Sequence, residues 1–73
     1  MSDLYAVERL KRGDTDGLAT LVKRYQTRAV RAAYAITRDR QLAEDVVQTV
    51  FINLYRTVQT FDTRRPFAPW FFK

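Results

Sequence analysis

The 73-residue chain contains no cysteine and no histidine, and only two glycines and two prolines. Without cysteine there is no disulfide, no thiolate nucleophile and no cysteine-based zinc site. Without histidine the chain lacks the commonest metal ligand and the usual general base near neutral pH. Two carboxylate pairs lie close in sequence. Asp14 and Asp16 fall in a turn and read as capping residues, whereas Glu44 and Asp45 are adjacent on a helix and point about 100° apart. Neither pair suits a metal or acid–base site, so no enzyme and no cofactor is expected. The longest apolar run, Ala32-Ala33-Tyr34-Ala35-Ile36, is far short of the ~20 residues that span a bilayer. The opening MSDLYAVERLKRG mixes acids and bases among its apolar positions, unlike a secretory leader, and a cytoplasmic protein without membrane contact is expected.

What is present belongs to a folded chain. Hydrophobic residues make up 47% and charged residues 29%, too apolar for disorder. The length allows one domain, residues 1–73, with a small core. Thirteen Lys and Arg against eight Asp and Glu give a net charge of +5. That balance suits an acidic partner, nucleic acid among them.

The spacing of apolar residues predicts three helices and an aromatic tail. Ser2 or Asp3 caps a first helix from Leu4 to about Arg12, with Leu4, Val7 and Leu10 as its apolar positions and Gly13 as its stop. Gly13-Asp14-Thr15-Asp16-Gly17 reads as a turn. From Leu18, the positions Leu21, Val22, Tyr25, Ala29, Ala32, Ala33 and Ile36 recur in steps of three and four, which define one face of an amphipathic helix. Asp39 caps the third helix. There the apolar residues come in pairs, Leu42/Ala43, Val46/Val47, Val50/Phe51 and Leu54/Tyr55, followed by Val58.

On the side of that helix away from the pairs, Asp45, Gln48, Thr49, Ile52 and Arg56 fall together at i, i+3, i+4, i+7 and i+11. A single exposed isoleucine is ordinary. An isoleucine ringed by polar groups also fits a docking face, with Ile52 as its apolar anchor. After Thr60 the composition changes. Residues 61–73 hold both prolines and half of the aromatics. Arg64 and Arg65, between Phe61 and Phe67 and ahead of Trp70, combine cationic and stacking chemistry. Such groups hold single-stranded nucleic acid, at about 1–3 kcal/mol for each stacked base. The alternative is that Phe61, Phe67 and Trp70 close the small bundle while both arginines are merely solvated. A fourth helix is expected to open at Pro69, with that proline in its first turn and Trp70-Phe71-Phe72 following. The chain is therefore expected to be part of a longer protein, truncated at its C-terminal end, and its incompletely covered rings are expected to favour self-association.

The run Leu42-Ala43-Glu44-Asp45-Val46-Val47-Gln48-Thr49-Val50-Phe51-Ile52-Asn53-Leu54-Tyr55 and the tail from Phe61 to Phe71 closely resemble domain 2 of the extracytoplasmic-function sigma factors. These are transcription initiation factors of the sigma-70 superfamily. Gly13-Asp14, Leu21 and Tyr25 match the first half of the family pattern. The resemblance implies an all-α, compact three-helix domain with a C-terminal aromatic loop and the start of a truncated fourth helix. It further implies that Asp45 and Gln48, with Thr49, Ile52 and Arg56 around them, dock on the β′ clamp helices of core RNA polymerase. Phe61, Arg64, Arg65, Phe67 and Trp70 would then contact single-stranded minus-ten promoter DNA, with a flipped base held in the loop. An anti-sigma factor is a further partner that the resemblance implies.

Two departures bear on this. Thr49 stands where the family usually carries an acid, which removes one docking contact. The chain also lacks most of the promoter-melting helix and the domain that reads the minus-35 element, so alone it is expected neither to melt promoters nor to direct initiation. From the residues alone, a basic helical protein-interaction module without a DNA role stays open as the alternative.

Overall fold

A computed structural model describes residues 2–72. Within them the fold is all-helical, in the order α1 (Asp3–Lys11), α2 (Thr15–Thr37), α3 (Arg40–Thr57), a 3₁₀ turn (Val58–Thr60) and α4 (Phe67–Phe71). Each long helix begins where a side-chain oxygen satisfies an orphan N–H group. The Ser2 hydroxyl accepts the Tyr5 N–H at 3.1 Å. Asp14 accepts the Asp16 N–H at 2.9 Å, and Asp39 accepts the Leu42 N–H at 3.1 Å. Asp14 also accepts Arg9 Nε at 2.7 Å, which fastens the α1–α2 corner. The Asp16 N–H and then the Arg9 guanidinium hold the Asp14 carboxyl below its usual range. Gly13, at φ +87°, turns the chain where a side chain would be strained.

α2 is the central helix, with α1 and α3 packed against it and the 3₁₀ turn reaching back to α1. The core joins Ala6, Val7 and Leu10 of α1 to Leu21, Tyr25 and Ala29 of α2. Val47, Phe51 and Leu54 of α3, with Val58, Phe61 and Phe67, complete it.

Three sequence expectations are corrected. Gly17 is not a turn residue but lies buried in the first turn of α2. In α3 only one member of each apolar pair is buried: Ala43, Val47, Phe51 and Leu54 face inward, while Leu42, Val46, Val50 and Tyr55 are exposed. The reason is geometric. α2, with the Phe71 ring of α4 against Phe51, covers a single arc of α3, and the paired pattern is wider than that arc. Leu4 and Ile36 are likewise exposed, Ile36 because it lies in the last turn of α2. The fourth helix starts at Phe67 rather than at Pro69. Pro69 is tolerated there because the N–H groups of a first turn have no intrahelical partner to lose. Trp70, Phe71 and Phe72 are half-buried, packed on the edge of the core.

α1 and α2 cross closely at Gly17. A Cβ on Gly17 would overlap the Ala6 carbonyl oxygen and lie 2.9 Å from the Leu10 nitrogen. Gly→Ala in an open helix gains up to ~1 kcal/mol. Here the clash is with backbone atoms, which cannot rotate away, so overpacking wins and Gly17→Ala costs about 1–3 kcal/mol. Thermal unfolding checks this: a fall of several degrees in midpoint is expected, and an unchanged or raised midpoint contradicts the close crossing.

Candidate functional site

Two surfaces carry the residues singled out from the sequence. On α3, Asp45, Gln48, Thr49, Ile52 and Arg56 are all exposed, and Ile52 is 73% accessible. Their bonds are local to the helix. Gln41 Nε2 donates to Asp45 Oδ1 at 3.0 Å, and the Thr49 hydroxyl donates to the Asp45 carbonyl at 3.0 Å. None of the five is needed to close the core. Gln48 and Ile52 also line a groove of about 990 Å³ between α2 and α3, together with Leu18, Val22, Val47 and Phe51. The strip is thus an apolar anchor and polar contacts on a rigid element, which is the make-up of a docking surface.

The second surface is the loop between the 3₁₀ turn and α4. Asp62 organises it. Its Oδ1 accepts the Arg64 N–H at 2.9 Å and Arg64 Nε at 3.0 Å, and its Oδ2 accepts Arg64 Nη2 at 3.1 Å. The Arg64 side chain and then its N–H pull the Asp62 carboxyl below the usual range. From below, Lys11 Nζ donates to the Phe61 carbonyl at 2.8 Å. Gln59 Nε2 donates to the carbonyls of Lys11 and Tyr55, each at 3.3 Å. The end of α1 therefore holds the start of the loop.

Arg64 and Arg65 are exposed, but the aromatics beside them are not equivalent to one another. Phe61 and Phe67 are 4% and 3% accessible, and Trp70 is half-buried. Phe67 lies 5.6 Å from Tyr25 and 5.3 Å from Phe71 between ring centroids. Phe61 lies 4.7 Å from Trp70. In this arrangement Phe61 and Phe67 support the loop from beneath and present no free stacking face. A cavity of about 570 Å³ opens between the loop and the start of α1. Asp3, Arg24, Arg65, Pro66, Phe67 and Pro69 line it. Asp3 in turn accepts the Tyr25 hydroxyl and pairs with Arg24. Burial, and then the bond to Asp3, raise the Tyr25 phenol above its ordinary value.

Sequence reasoning missed Asp3, Lys11, Gln59 and Asp62 as parts of this site. Asp62 carried a local signal, since an aspartate two residues ahead of the N–H it bonds is an Asx-turn pattern. Lys11 carried none, because its partner is fifty positions away. Among the described residues no three His, Cys, Asp or Glu side chains gather as a metal site requires. Among the same described residues no helix is long and apolar enough to cross a membrane.

Comparison with known proteins takes in both surfaces. The family model for sigma-70 region 2 matches residues 21–73. The sigma factor SigW of Bacillus subtilis, an extracytoplasmic-function RNA polymerase sigma factor, is 30% identical over 67 residues, covering 92% of this chain and 36% of its own. The RNA polymerase sigma-H factor of Pseudomonas aeruginosa is 34% identical over 71 residues, covering 97% and 37%. The sigma-E factor of Haemophilus influenzae is 35% identical over 75 residues, covering 100% and 38%. This chain thus spans little more than a third of the relatives it matches. Among solved structures, an engineered region 2 of sigmaE in complex with GTAAAA superposes with a TM-score of 0.83 at 34% identity. The match covers 99% of this chain and 75% of that one. With the exposed α3 strip and the aromatic-backed arginine loop both inside the span that the family model matches, the chain belongs to the sigma-70 region 2 family, in its extracytoplasmic-function branch.

Proposed function

We propose that this domain serves a bacterial transcription initiation factor by two surfaces. The α3 strip docks on the β′ clamp helices of core RNA polymerase, and the loop from Phe61 to Trp70 captures single-stranded minus-ten promoter DNA. The observation that carries the proposal is the loop: two exposed arginines, braced by buried rings, at the mouth of a cavity. Its support is the likeness to a region 2 that is bound to a hexanucleotide. Arginine supplies charge-assisted bonds to phosphate, and a cavity beside it can accept an unstacked base.

At the docking strip, Ile52 is the apolar centre and Asp45, Gln48 and Arg56 are its polar surround. Thr49 contributes no charge. Because these side chains are exposed, their substitution leaves stability within about 0.5 kcal/mol. Ile52→Asp puts a charge at the centre of the interface and is expected to weaken binding to a β′ coiled-coil fragment at least tenfold, a central-residue effect of about 2 kcal/mol. Gln48→Ala is expected to weaken it less. Titration calorimetry with each variant checks this, and equal affinity for wild type and Ile52→Asp removes the strip from the interface.

For the loop, a randomised single-stranded hexamer pool with GTAAAA as one member is the direct probe. Enrichment of a defined sequence by the wild-type chain is expected, and Arg65→Ala should reduce total recovery. Recovery of all sequences alike, unchanged in Arg65→Ala, would instead favour a protein-interaction module without a DNA role.

A further inference from the structure

Arg64 and Arg65 are adjacent in sequence, yet they differ in what already occupies them. The Arg64 guanidinium meets the Asp62 carboxylate fork to fork, Nε on Oδ1 at 3.0 Å and Nη2 on Oδ2 at 3.1 Å. Two oxygens on one centre, presented to two parallel N–H groups, is also how a phosphate meets arginine. The same carboxylate accepts the Arg64 N–H, and the Asp62 carbonyl accepts the Arg65 N–H at 3.0 Å, so the backbone is wound around this one residue. Arg65 makes no ion pair among the described residues and lines the cavity instead.

We propose that Asp62 is a built-in stand-in for phosphate. In the free domain it occupies Arg64 and leaves Arg65 as the open phosphate contact, so the loop holds single strands more weakly than its charge allows. This rests on the loop being a single-strand site. The pair is exposed, 88% for the arginine side chain and 38% for the aspartate. Such a pair restrains its members by a factor of no more than about five, and a true phosphate can displace it.

The experiment measures affinity for a fluorescent GTAAAA hexadeoxynucleotide over a salt series. Asp62→Asn keeps an oxygen for the Arg64 N–H and so keeps the turn, but loses the charge. It is expected to tighten binding about two- to fivefold and to steepen the slope of log K against log salt by ~0.7, one further phosphate contact. Arg65→Ala should flatten the wild-type slope by ~0.7, and Arg64→Ala by less than half of that. Combining Asp62→Asn with Arg64→Ala should abolish the gain. A general effect of removing one negative charge would survive the double change and would overturn the proposal, as would weaker binding by Asp62→Asn. A wild-type chain that binds no hexamer at low salt sinks the single-strand reading of the loop. The clasp is then decided by NMR of the free protein. A slowly exchanging Arg64 Nε–H that becomes fast in Asp62→Asn supports it, and equal exchange in both refutes it.

Discussion

The position of the arginine loop depends on the ring of Phe67. That ring is nearly inaccessible and touches Tyr25 of the central helix, Phe61 before the loop and Phe71 after it. Contacts between aromatic rings are worth about 0.5–1.5 kcal/mol each beyond the area they bury. Losing a buried phenylalanine costs ~3–5 kcal/mol, about the whole net stability that a core of this size supplies. The loop is therefore not an appendage of the fold. Its anchor is one of the larger contributions to the domain's stability, and Lys11 and Gln59 tie the same segment to the end of α1.

The α3 strip has the opposite relation to the core. Its five residues lie outside the core, because Val47, Phe51 and Leu54 close the helix onto α2 from the other side. A surface free of folding duty can carry specificity without loss of stability. The two surfaces nevertheless share one scaffold: α3 runs into the 3₁₀ turn, and Val58 of that turn is fully buried. Docking through α3, as proposed, would place the loop at a fixed remove from whatever α3 grips.

Much of this was legible in the sequence. The steps Leu21, Tyr25, Ala29 and the caps Ser2, Asp14 and Asp39 announce the helices, and the wheel of α3 isolates Ile52 among polar neighbours. Gly17 was misread because a glycine after Asp14-Thr15-Asp16 looks like turn chemistry, whereas its true constraint is the α1 backbone at Ala6 and Leu10. The inward and outward members of the α3 pairs could not be separated, because periodicity defines an arc and only a neighbour defines which part of it is covered. Whether Phe61 and Phe67 stack on bases or close the bundle stayed open for the same reason: ring identity is local, and burial is not. The unequal state of Arg64 and Arg65 depends on where Asp62 points, which no spacing rule reveals.

Under the proposed function, docking and strand capture occupy two separate surfaces of one rigid bundle. The most direct measurement is a pair of NMR titrations on the same isotopically labelled protein, one with a single-stranded hexamer and one with a β′ coiled-coil fragment. The hexamer should shift the amides of residues 62–66 and leave Gln48 and Ile52 in place, and the coiled coil should do the reverse. Footprints that coincide, or a hexamer that perturbs α3 alone, would contradict it.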